Sequence, residues 1–159
     1  MKYLLEHPVK GVIGSEKYLT AIHWRNGVVI TDEPEKLGGG DRGPDPYTLL
    51  LSALVSCTLA TLRMYIDLKV LDIPEISVEA NMFQKMENEG TVMHIERRIA
   101  IAEVTDAELQ QRLIRVAENC PVSKILKGSI KITSEFGTAR MVMTDPEINP
   151  TKTDHNIND

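Results

Sequence analysis

DRGPDPYTLLLSALVSCTLATLRMY, residues 41–65, is the stretch whose reading decides the fold. Pro46 or Tyr47 opens a helix that should reach Asp67–Lys69. Asp45 is placed to cap it, and proline suits a first helical position because its missing N–H would be unpaired there anyway. Leu51, Val55, Leu62 and Ile66 recur at helical spacing and form a heavy side. Ser52, Ala53, Ser56, Cys57 and Ala60 form a second face of small residues, against which another helix can pack closely. A helix apolar nearly all round is expected to be buried on all sides.

Working outward, the preceding segment LGGGDRGPDP (residues 37–46) holds four glycines and two prolines and must be a loop. Before it, Tyr18 to Trp24 and Val28 to Thr31 flank Arg25-Asn26-Gly27, and Asn-Gly is a strong hairpin signal. Beyond the helix, Glu75 to Met86 alternates as a strand, with Ile76, Val78, Ala80 and Met82 on one face. Residues 87–90, Glu-Asn-Glu-Gly, make a turn. Met93, Ile95, Ile99 and Ile101 then alternate back, with Arg97 breaking the apolar series. Thr105 or Asp106 opens a second helix, with Leu109, Leu113 and Val116 on its apolar face and Ile114 and Ala117 beside them, ending near Asn119. Pro121 to Lys127 supplies one or two further helical turns, stopped by Gly128. Ile130 and Ile132 are expected in a last strand, extended by Phe136 to Met143. Strands, helix, strands, helix and strand without regular βαβ alternation make an α+β protein. Residues 1–144 read as one domain. Residues 145–159 read as a flexible polar C-terminal tail, rich in Asp, Asn and Thr.

Composition excludes several classes. The 159 residues carry 18 basic and 23 acidic side chains, a formal charge of −5, without a dense basic run. Phosphate binding needs clustered Lys and Arg, and 4% aromatics give few stacking platforms, so no nucleic-acid partner is expected. Glu6 and Pro8 end the first apolar run before signal-peptide length. The uncharged stretch from Pro46 to Leu62 is 17 residues, short of the roughly 20 that span a membrane. No membrane partner and a cytoplasmic location are the expectations.

Chemistry falls on three residues. Cys57 lies midway along the long helix. Cys120 precedes Pro121 and so would cap the short helix, where local amides and the helix dipole favour a thiolate. Cysteines also serve as small core hydrophobes, and spacing alone leaves that reading open for both. Two cysteines make no zinc site, and His7, His23, His94 and His155 show no ligand spacing, so neither a metal nor a cofactor is expected. A Cys–His pair would need a histidine delivered by the fold, His23 being one candidate. Arg42, in the glycine-rich loop, would stabilise a thiolate if it reached the sulfur. The loop's GGGDRG lacks the order and ending of phosphate-binding loops. Tight turns and close backbone approach are its expected role.

Two segments resemble the OsmC/Ohr family (osmotically inducible protein C and organic hydroperoxide resistance protein). They are DRGPDPYTLLLSALVSCTLATLRMY and ENCPVSKILKGSIKI (residues 118–132), in the family's order and spacing. The likeness runs from about Asp32 to Phe136, and DEPEKLGGGDRGP (residues 32–44) points to the OsmC-like branch. The resemblance implies an intertwined homodimer with long central helices packed against antiparallel β-sheets. It also implies a thiol peroxidase for organic hydroperoxides, with Cys57 as the peroxidatic and Cys120 as the resolving thiol, and a dithiol reductant that is lipoyl-linked in the best-known members. The alternative is a small-molecule binding protein of the same fold without turnover. The chain departs from the family pattern where a carboxylate follows the helix-starting proline. Here Tyr47 and Thr48 follow Pro46, the family arginine would lie near Lys36, and Arg42 is a substitute for it rather than a motif match.

Overall fold

The computed structural model describes residues 3–88, 90–101 and 104–136. Strands β1 (Lys10–Ile13), β2 (Thr20–Trp24) and β3 (Gly27–Thr31) form an antiparallel sheet in that spatial order. Arg25 and Asn26 make the two-residue turn, since Trp24 pairs with Gly27. The hairpin is as expected. β1 is an addition: its four residues are almost all exposed and carry no alternation of their own, and pairing with β2 defines them.

Helix α1 spans Pro46–Leu68. The Asp45 side chain accepts from the N–H groups of Tyr47 and Thr48, so the expected cap and first-position proline are both present. Strands β4 (Ser77–Glu87) and β5 (Gly90–Ala100) form a long antiparallel hairpin. Its half-buried face carries Val78, Ala80 and Met82 from β4 and Ile95, Arg97 and Ile99 from β5. Helix α2 (Ala107–Glu118) is capped by Asp106, and α3 (Pro121–Lys127) is capped by Cys120 and ends at Gly128.

α1 is central, touching α2, α3 and β4. Its length and composition would also suit a membrane span. Its buried row is Leu54, Thr58, Leu62 and Ile66, four residues apart. This corrects two expectations. The heavy side is not Leu51, Val55, Leu62 and Ile66, because Leu51 and Val55 are only half-buried. Nor is the helix buried on all sides: Ser52, Ala53, Ser56 and Ala60 face outward in the single chain. A helix apolar nearly all round gives no unique phase, and packing partners chose the row. Arg63 ties down the following segment by donating to the carbonyls of Ile73 and Pro74, at 2.9 and 3.1 Å.

Leu62 and Ile66 pack with Ile73, Val104, Leu113 and Ala117 in the core. Leu62 is fully buried there, so Leu62→Ala should remove about 2–5 kcal/mol of stability. Urea denaturation checks this, and a loss below about 1 kcal/mol would mean that the site collapses around the smaller residue or is packed otherwise.

The expected strand at Ile130 and Ile132 is not formed: residues 129–136 pair with no other strand among the described residues. Ile132 and Phe136 are exposed. Alternation supplies one apolar face, but a strand also needs backbone pairing with a neighbour, which sequence alternation alone does not provide. Residues 137–143 of the expected extension and the 145–159 tail lie outside the described residues. The three-stranded sheet makes no extensive contact with the helices or with β4–β5.

Candidate active site

The two cysteines come together between α1 and the start of α3. Both are free thiols, Cys57 half-buried and Cys120 fully buried. Cys57 stands between the buried row of α1 and the exposed small residues Ala53 and Ala60. Cys120 holds the capping position of α3. Its Sγ accepts from the Ser123 N–H at 3.3 Å and lies 3.0 Å from Ser123 Oγ. Thr58 Oγ1 is 3.8 Å away across the helix contact.

Burial pushes the Cys120 thiol up, but its partners outweigh burial. The Ser123 hydroxyl and N–H, the Thr58 hydroxyl and the Cys57 thiol together bring it down from 9.0 to about 7. A thiolate is acceptor-only, so every donor aimed at the sulfur favours the ionised form. The capping role expected for Cys120 is therefore present, and it comes with a group that ionises near neutrality.

Arg97 lies behind these hydroxyls. Its Nη1 donates to Thr58 Oγ1 at 2.8 Å and to Ser123 Oγ at 3.0 Å. β5 directs Arg97 to the same half-buried face as Ile95 and Ile99, and small Ala80 sits opposite it on β4. Sequence reading noted Arg97 as a break in an apolar alternation without assigning it to the site. That break was the available signal, because a charged side chain on an inward face requires polar partners. Thr58 and Ser123 were likewise missed, although each lies within three residues of a cysteine.

Arg42 does not reach either thiol of its own chain. Its guanidinium donates to Glu16 at 2.9 Å and to Asp32 at 3.4 Å, and no cysteine is among its partners. Burial pushes the Asp32 carboxyl up. The N–H groups of Glu33, Gly40 and Arg42 and the Arg42 side chain outweigh it and hold the group below the usual carboxylate range. This buried carboxylate organises the glycine-rich loop. A side chain at Gly43 would run into the Ile30 carbonyl, and one at Gly39 into that of Glu33, so the loop's glycines serve close backbone approach as expected. His23 belongs to the separate three-stranded sheet. Its Nε2 has no hydrogen-bond partner among the described residues, so no Cys–His pair forms. No metal-ligand cluster occurs among the described residues.

A groove of about 600 Å³ opens beside the network. Leu54, Ile95, Ile99 and Leu126 give it apolar walls, and Arg97 and Ser123 give it a polar edge. The volume suits a small organic molecule.

This α+β chain places two free thiols on the neighbouring helices α1 and α3, and the Cys57 thiol is among the groups that lower the Cys120 pKa to about 7. Residues 38–135 match the OsmC-like protein family, and the chain belongs to that family. It is 28% identical over 102 residues to the organic hydroperoxide resistance protein of Xanthomonas axonopodis pv. citri, covering 63% of this chain and 72% of that protein. An organic hydroperoxide resistance protein of Elizabethkingia anophelis, solved with thiocyanate bound, superposes with a TM-score of 0.61. The identity there is 26%, covering 82% of this chain and 94% of the other. An OsmC-like protein of Mycoplasma pneumoniae gives a TM-score of 0.64 at 18% identity, covering 79% and 90%. The expected family and α+β fold are both present.

Proposed function

We propose that the protein is a cysteine-based peroxidase that reduces organic hydroperoxides, with Cys57 attacking and Cys120 resolving. The observation that carries this reading is a half-buried thiol on α1 beside a fully buried one at the start of α3 whose pKa, lowered by Cys57 among other groups, is about 7. A bulky peroxide reaches Cys57 more readily than Cys120. Cys57 sulfur attacks the outer peroxide oxygen and the O–O bond breaks. The alkoxide takes a proton to leave as alcohol, and Cys57 becomes a sulfenic acid. Cys120 then displaces the sulfenic oxygen as water and closes a disulfide. A dithiol reopens it by exchange, becoming a disulfide itself. A reducing, cytoplasmic setting goes with this cycle.

Names of relatives as organic hydroperoxide resistance proteins support the substrate class, and the apolar walls of the neighbouring groove, which also carries Arg98, Glu118 and Lys127, suit an alkyl group. The second reading, a binding protein without turnover, is favoured by the absence of a carboxylate, among the described residues, from the Cys120 contacts. Steady-state consumption of cumene hydroperoxide with a dithiol separates them. Catalytic turnover supports the peroxidase, whereas binding with no consumption beyond the uncatalysed rate sinks it.

Self-association belongs to the same proposal. The outward small-residue face of α1 and the lightly packed three-stranded sheet both leave surface that a second copy would cover. Ala60→Arg would place a charge in that contact, and aggregation or unfolding is expected. A native chain that remains monomeric at micromolar concentration by light scattering would contradict the dimer.

A further inference from the structure

Arg97 touches neither sulfur, yet its contacts constrain both hydroxyls that do reach Cys120. Each hydroxyl has one proton to give. Thr58 spends its proton on the Leu54 carbonyl at 2.7 Å while accepting from Arg97 at 2.8 Å. Ser123 accepts from Arg97 at 3.0 Å, and two acceptors compete for its proton: Cys120 Sγ at 3.0 Å and the Ala117 carbonyl at 3.5 Å. The shorter contact is to sulfur, although sulfur is the larger atom. A cation on the oxygen makes its O–H a stronger donor, so the guanidinium strengthens the bond that Ser123 gives to sulfur.

We propose that Arg97 is a positioning residue that acts through Ser123 to aim a hydroxyl proton at Cys120 Sγ, and so sets the rate at which the Cys57–Cys120 disulfide closes. The proposal rests on the peroxidase reading for the oxidant that starts the cycle. In the closing step an electron pair on Cys120 sulfur forms the S–S bond and the S–O bond of the Cys57 sulfenic acid breaks. Hydroxide leaves, takes a proton from solvent and becomes water. The peroxide has been reduced, and the two thiols have supplied its electrons. Held as a thiolate, Cys120 is ready for this attack before the sulfenic acid meets a second peroxide.

Other charged and titratable groups near Cys120 are few. α1 brings Cys57 and β5 brings Arg97, while Arg98, Glu118 and Lys127 stand along the neighbouring groove. α3 also carries Lys124, which is exposed.

The test uses the full chain with Cys57→Ser, so that Cys120 is the remaining thiol, and follows thiolate ultraviolet absorbance against pH. Ser123→Ala and Arg97→Gln, each added to this background, should raise the midpoint by about one pH unit. Arg97→Lys, which keeps the charge but loses the planar fork, should fall between. With both cysteines present and one equivalent of cumene hydroperoxide, Arg97→Gln should slow disulfide closure about tenfold below the native midpoint, and raising the pH should restore it. A midpoint unchanged in folded Arg97→Gln protein, checked by circular dichroism, overturns the proposal. If Arg97→Gln does not fold, Ser123→Ala decides, and an unchanged midpoint there overturns it equally. The titration involves no peroxide, so a shifted midpoint in a protein that fails to consume peroxide would refute the peroxidase reading and leave the Arg97–Ser123–Cys120 coupling standing.

Discussion

Cys57→Ser is expected to abolish consumption of organic hydroperoxide, by on the order of a thousandfold or more. Serine keeps the size of the side chain, and its hydroxyl fits a position that is only half-buried, so the fold should survive. What disappears is the sulfur nucleophile that accepts oxygen from a peroxide. Cys120 stays intact and ionisable, but it is fully buried and poorly placed to meet an alkyl hydroperoxide. A residual rate close to native would reverse the two roles and make Cys120 the attacking thiol.

Cys120→Ser is expected to fail differently. The first oxidation at Cys57 still occurs, so about one equivalent of peroxide per chain is consumed. No thiol then remains to close a disulfide, and the sulfenic acid persists. Excess peroxide carries it to sulfinic acid, which dithiols do not reverse. Mass spectrometry should find one added oxygen and then two on the peptide that holds Cys57. Continued turnover with dithiol would show that external thiol resolves the sulfenic acid directly and that Cys120 is dispensable.

Local signals made much of this fold legible. Asp45-Pro46, Asp106 and Cys120-Pro121 each mark a helix start through capping chemistry that acts within a few residues, and all three helices begin there. Arg25-Asn26-Gly27 marked the hairpin for the same reason. What stayed hidden depends on contacts distant in sequence. β1 exists through its pairing with β2. The row that α1 buries is chosen by its neighbours, and the segment around Ile130 keeps its alternation yet pairs with no strand among the described residues.

The candidate site divides in the same way. Both cysteines were legible, and so was the capping position of Cys120. Their nearness was not, because it depends on the packing of α1 against α3. Arg42 lies just before α1 in sequence, but Asp32 and Glu16 hold it away from the thiols of its own chain. Arg97 lies 40 residues beyond Cys57 on another element, and only the register of β5 against α1 and α3 turns it toward the hydroxyls.

The central claim is that Cys57 and Cys120 form one redox pair. Intact mass measurement after a single equivalent of cumene hydroperoxide tests it most directly, with peptide mapping under non-reducing conditions. The account predicts loss of two hydrogen atoms per chain, one cross-linked peptide pair holding Cys57 and Cys120, and full reversal by dithiol. A chain that keeps its reduced mass, or that gains oxygen on Cys57 with no cross-link to Cys120, would contradict it.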